Sequence, residues 1–97
     1  MAIGMVVEVP GATQAQYDAA IARMGLQENP PEGCLVHMAG PVDGGWRVVD
    51  VWESQEHFDR FRDERLAAAL EAEGIPQGQF SAFPLHMLFS AGAQPQA

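Results

Sequence analysis

Asp43-Gly44 stands between two β-rich runs within residues 34–53, and that stretch constrains the chain more than any other. An Asp-Gly pair between such runs is a strong hairpin signal, because the mirror-image turns that suit twisted strands need central residues tolerant of positive φ. With Asp43 and Gly44 at the centre, paired residue numbers sum to 87: Leu35 faces Trp52, His37 faces Asp50, Ala39 faces Val48 and Pro41 faces Trp46. Side chains alternate across a strand, so these eight share one face. The other face holds Cys34, Val36, Met38, Val49 and Val51, with Arg47 and Glu53 near its ends. Two tryptophans, an imidazole and a carboxylate on one face pose the functional question. They line a pocket, fill a dimer core or meet solvent.

The remaining elements read in order. Residues 3–9 alternate as a strand that stops at Pro10-Gly11. Thr13 and Gln16 fit a capping box, opening a helix to about Leu26 with Tyr17, Ala20, Ile21 and Met24 on its apolar stripe. Ser54 caps a second helix that runs to about Glu73, with Phe58, Phe61, Leu66, Ala69 and Leu70 turned inward. Residues 79–89 alternate again, and Pro84 assigns that strand to a sheet edge or a bulge. Residues 1–89 form a single domain, and 90–97 are expected to be a flexible tail.

The order βαββαβ is the split βαβ of a ferredoxin-like α+β fold, a four-stranded antiparallel sheet with two helices on one face. The more uniformly apolar faces are expected beneath the helices: Ile3/Met5/Val7/Val9, Val36/Met38, Val49/Val51 and Phe83/Leu85/Met87/Phe89. The uncovered face would then carry Val6, Glu8, Leu35, His37, Trp46, Val48, Asp50, Trp52, Phe80, His86 and Leu88. So much apolar surface is not left in water, and a second copy of the sheet is the simplest cover.

Composition removes several function classes. A net charge of -8 argues against nucleic acid and anionic membrane as partners, which need a basic footprint. All five cationic residues are arginine, so Schiff-base chemistry through lysine is excluded. Cys34 is the one cysteine, leaving no intrachain disulfide and no cysteine-based zinc cluster. No stretch approaches the about 20 apolar residues of a membrane span, and the chain reads as a cytoplasmic protein. Neither a phosphate-binding glycine loop nor a nucleotide fingerprint is present, so no bound cofactor is indicated.

In element order over residues 1–89, and in Val51-Trp52-Glu53-Ser54 followed by Phe58, the chain resembles the dimeric α/β-barrel superfamily. That superfamily includes antibiotic-biosynthesis monooxygenases, haem-degrading monooxygenases, muconolactone isomerases and small polyketide cyclases. The resemblance implies a homodimer whose two sheets face each other, with a mostly apolar cavity in each subunit. Haem-degrading members carry an asparagine on the first strand and a histidine along the second helix. Here the corresponding positions are Gly4, Val6 and Glu8, and then Arg60, Arg62 and Arg65. Haem degradation is disfavoured.

The candidate catalytic residues are His37, Asp50 and His86. Asp50 would set the His37 tautomer, and His86, expected on the opposite edge strand, would reach His37 across a dimer. Those three could also form a two-histidine, one-carboxylate metal site if they converged, but no metal is expected. Candidate ligand contacts are Trp46, Trp52, Val48, Leu35, Glu8 and Phe80, with the tryptophans able to stack on a flat aromatic molecule. The expected activity is a cofactor-independent monooxygenase acting on a small hydrophobic or aromatic substrate. A cyclase or isomerase using His37 and Asp50, and a non-catalytic ligand-binding dimer, are the alternatives.

Overall fold

Strands and helices follow one another as β1 (Ile3–Pro10), α1 (Gln14–Met24), β2 (Cys34–Val42), β3 (Gly45–Trp52), α2 (Gln55–Phe61), a π-helical turn (Arg62–Leu66), α3 (Ala67–Ala72) and β4 (Gln79–Pro84). The structure, a computed structural model, describes residues 1–91. The strands form one antiparallel sheet in the order β2-β3-β1-β4, which is the ferredoxin-like α+β topology. The expected tail at 90–97 falls mostly outside the described residues.

Local chemistry starts and stops each helix as the side chains require. Thr13 Oγ1 accepts the Gln16 amide while the Gln16 side chain accepts the Thr13 amide, closing the capping box. Gly25 ends α1 in the left-handed region at φ 65°, where a residue without Cβ is under no strain. Ser54 Oγ accepts the His57 amide at the start of α2. Between α2 and α3 the helix widens, and the Ala67 amide bonds the Arg62 carbonyl five residues back. Phe61 and Leu66 are five apart; an α-helix would turn the second about 140° away from the first. The wide turn brings both onto the inner face.

The hairpin register is as expected from His37↔Asp50 to Val42↔Gly45, with two corrections. Asp43 keeps a negative φ and only Gly44 crosses to +76°, so the turn is not the type I′ form. A bulge between Cys34 and Val36 makes Cys34, not Leu35, the partner of Trp52. Leu35 is the extra residue and is 50% exposed.

The expected assignment of faces is overturned. Ile3, Met5, Val7 and Val9 pair with Trp52, Asp50, Val48 and Trp46, so the valine face of β1 joins the Trp/His/Asp face of the hairpin. Apolar uniformity was the wrong criterion, since both faces of β1 are apolar and its register against β3 is set by neither. The helices lie over this joined face. Trp52 is 1% exposed beneath Phe58, at 5.5 Å edge-on, and Phe61, at 5.4 Å. The Arg65 guanidinium donates to the Met24 carbonyl, and Arg23 pairs with Glu73 at 2.9 Å, binding the two helical arms together.

The uncovered face therefore carries Val6, Val36, Met38, Val49, Val51 and Phe83, not the tryptophans. Phe83 pairs with Gly4 and its ring lies where a Cβ would stand, 2.3 Å from the ideal position. Glu8 also faces this side, opposite Arg47, whose Nε donates to it at 2.6 Å. β4 ends at Pro84, short of the expected residue 89. The Leu85 amide still bonds the Ala2 carbonyl, but His86, Met87, Leu88 and Phe89 beyond it are exposed.

Candidate functional site

Between the sheet and its helices lies a cavity of about 380 Å³. α1 supplies Tyr17, Ala20, Ile21 and Met24 as its roof, and the wide turn of the second helix places Phe61 and Leu66 on its wall. The floor is the joined sheet face: Val7, Val9, Trp46, Val48, Asp50 and Trp52, with Cys34 and His37 from β2 and Phe80 from β4. Such a volume, apolar with a few convergent polar groups, is the usual form of a small-molecule site.

Those polar groups form one chain. The Asp50 carboxyl is 8% exposed, and both its oxygens are held. Oδ1 lies 2.7 Å from His37 Nδ1, and Oδ2 accepts the Trp52 indole N–H at 3.1 Å. A carboxylate only accepts, so Nδ1 carries a proton, and in the neutral imidazole Nε2 is left with its lone pair. Tyr17 Oη lies 2.5 Å from that nitrogen. The Tyr17 and His37 rings are parallel to within 3° with centroids 6.0 Å apart, joined edge-on through the O···N bond. Burial, then the charges of Asp50 and Asp18, raise the Tyr17 pKa above its ordinary value. The phenol thus stays protonated and donates to Nε2. His37 keeps 36% of its side chain exposed, so the imidazole is reachable while its carboxylate partner is not.

Of the residues singled out from sequence, the structure brings His37, Asp50, Trp46, Trp52, Val48 and Phe80 into one cavity. Leu35 is expelled by the bulge, and Glu8 lies on the opposite face with Arg47. His86 follows the end of β4, across the sheet from β2, and does not line the cavity. Hence His37, Asp50 and His86 do not converge in one chain, and the described residues hold no group of three or more His, Cys, Asp or Glu side chains placed to bind a metal ion. Tyr17 and Cys34 were missed. Tyr17 carried one signal, a phenol inside an otherwise aliphatic helix stripe, but its meaning depended on knowing which sheet face α1 covers.

Solved structures with this architecture are numerous. A protein of Chloroflexus aurantiacus J-10-fl, provisionally named an antibiotic biosynthesis monooxygenase, superposes with a TM-score of 0.67 at 18% identity, over 95% of this chain and 100% of that one. The fold is that of the antibiotic-biosynthesis-monooxygenase-like proteins. A similarly named protein of Caulobacter crescentus CB15 gives 0.69 at 16% identity, over 89% of this chain and 91% of that one. SnoaB of Streptomyces nogalater, a cofactor-independent oxygenase, gives 0.64 at 17% identity, over 90% and 95%. No family model and no curated protein sequence matches the chain. The ferredoxin-like resemblance therefore holds at the level of the fold. No helix among the described residues is long and apolar enough to cross a membrane.

Cys34 provides a measurable report on this environment. Burial, followed by the Asp50 charge, pushes its thiol from 9.0 up to about 11, against a smaller lowering by hydrogen bonding with the Val36 backbone. A raised folded-state pKa favours the protonated form, so its stabilising contribution is complete below pH 9 and disappears as pH rises through 11. Iodoacetamide should alkylate native Cys34 slowly at neutral pH, with a rate midpoint near pH 11. A midpoint at or below 9 would show the thiol lies in a more polar setting.

Proposed function

We propose that this protein is a homodimeric enzyme that binds a small aromatic molecule between sheet and helices and removes a proton from it with His37. The single observation that carries the reading is the Asp50–His37–Tyr17 chain in an apolar cavity. Asp50 fixes the tautomer that leaves Nε2 as the base, and Trp52 holds Asp50 by its second oxygen. A ligand hydroxyl or acidic C–H replaces the Tyr17 phenol at Nε2 and gives up its proton there.

Cofactor-independent oxygenation is the reaction class this arrangement supports, and SnoaB shares the fold. The substrate anion supplies the electrons and dioxygen is the oxidant. A carbanion and dioxygen form a C–O bond, the imidazolium returns its proton to give a hydroperoxide, and loss of water leaves a ketone. One oxygen atom enters the product and the other leaves as water. Isomerisation or cyclisation would use the same base without consuming dioxygen.

The test uses anthrones and naphthols in an oxygen electrode. We expect oxygen uptake with at least one, reduced about 100-fold or more in His37→Ala, the usual contribution of a general base. Bound ligand should still quench tryptophan fluorescence in that variant. Full activity in His37→Ala would remove the histidine from the reaction, and conversion without oxygen uptake would favour the isomerase or cyclase.

The dimer is proposed through the uncovered sheet face, because Met38 and Phe83 are 55% and 51% exposed beside Val6, Val36 and Val49. The parent should scatter light as a dimer. Met38→Glu should yield folded monomers: the side chain is exposed in one chain, but a charge buried between two sheets costs several kcal/mol. A parent of 10.5 kDa at micromolar concentration would refute the interface.

A further inference from the structure

A histidine works as a base only through an open nitrogen, and here both His37 nitrogens are engaged. Asp50 Oδ1 holds Nδ1, and the Tyr17 hydroxyl holds Nε2. The side chain is nevertheless 36% exposed, so the ring is reachable while its lone pair is occupied. Tyr17 is placed there by features that do not depend on His37. The capping box at Thr13 fixes the start of α1, Tyr17 ends its first turn, and Ala20 beyond it is buried. The Tyr17 ring leans on the Trp46 indole at 5.1 Å, and Trp46 is itself buried. Burial, then the charges of Asp50 and Asp18, keep the phenol protonated, so it does not leave Nε2 by ionising at neutral pH. Opening that nitrogen means exchanging its hydrogen bond for another.

We infer that Tyr17 is a specificity-determining residue of the proposed proton transfer, withholding His37 Nε2 from any ligand that offers no hydrogen bond in exchange. This rests on His37 being the base and adds a condition on the acid it meets. A hydroxyl donates to a ring nitrogen as the phenol does, so it trades one O–H···N bond for another. A C–H group is a weak donor, and a carbon acid must break the Tyr17 bond without making an equal one. The penalty is that of one hydrogen bond, about five- to tenfold in rate. Deprotonating a ring hydroxyl still delivers negative charge to ring carbon by resonance, so the hydroxyl route serves oxygenation equally well. The cavity therefore takes its proton from oxygen in preference to carbon.

The test uses 5-nitrobenzisoxazole, a carbon acid with no O–H or N–H to donate. Removing its ring C–H proton breaks the N–O bond and releases a coloured cyanonitrophenolate, with no oxidant consumed. Tyr17→Phe keeps the ring and deletes the hydroxyl, and should raise kcat/KM about five- to tenfold over the parent. His37→Ala should remove the turnover in both backgrounds. A Tyr17→Phe rate equal to or below the parent, with His37 still required, overturns the withholding role while His37 remains the base. Turnover that survives His37→Ala, or none in either protein, means that His37 is not the base, and both readings fall. A measurement that begins on the unaltered protein guards against a variant that does not fold. Diethyl pyrocarbonate acylates unprotonated imidazole nitrogen, and peptide mass mapping separates His37 from the exposed His86. Parent His37 should react more slowly than His86, and Tyr17→Phe should speed His37 while leaving His86 unchanged. A parent His37 as reactive as His86, or a slow one that Tyr17→Phe does not speed, overturns the inference.

Discussion

A carboxylate buried in the middle of a sheet must have both oxygens answered, and Asp50 is such a group. Each donor it holds is constrained in turn. Trp52, two residues along the same strand, turns its indole edge toward Oδ2 and presents its ring to Phe58 and Phe61. His37, directly across the hairpin, turns Nδ1 toward Oδ1 and leaves Nε2 free for Tyr17. Removing the carboxylate would strand two donors, at about 1–3 kcal/mol for each buried one. The same side chain therefore orders the core beneath the second helix and the base in the cavity. Fold and site share a residue.

The backbone supports this arrangement from two irregularities. The bulge at Leu35 restores Cys34 to the cavity face, so the end of β2 closes the floor beside Trp52. The π turn does the equivalent for the second helix by aligning Leu66 with Phe61. In a regular α-helix Arg65 would take the place of Leu66 on that face, and in a regular strand Leu35 would stand opposite Trp52 in place of Cys34. Both features cost regular hydrogen bonding locally, and both are found where an apolar wall has to be continuous.

Much of this was legible in residues 34–53. The Asp43-Gly44 turn set the register, and the register alone put His37 opposite Asp50. The caps at Thr13 and Ser54 and the element order led to the topology. The relation of the hairpin to β1 was not legible, because alternating apolar residues on both faces of β1 satisfy either register. From that one gap came the inverted faces, the placement of Glu8 in a cavity it does not line, and the failure to see Tyr17 above His37. His86 was misplaced for a different reason: apolar alternation continues past Pro84, although the ladder does not. The five-residue spacing from Phe61 to Leu66 was a visible sign of a wide turn, and was read as ordinary helix.

Everything proposed for the cavity depends on His37 being held by Asp50 with its unprotonated nitrogen directed to Tyr17. Long-range proton–nitrogen correlation on the labelled protein reads this directly from the two ring nitrogens of the neutral imidazole. The proton is expected on Nδ1 and a hydrogen-bonded lone pair on Nε2, with the Nε2 shift changing in Tyr17→Phe. A proton on Nε2 would mean that Asp50 does not orient the ring and that the cavity has no base.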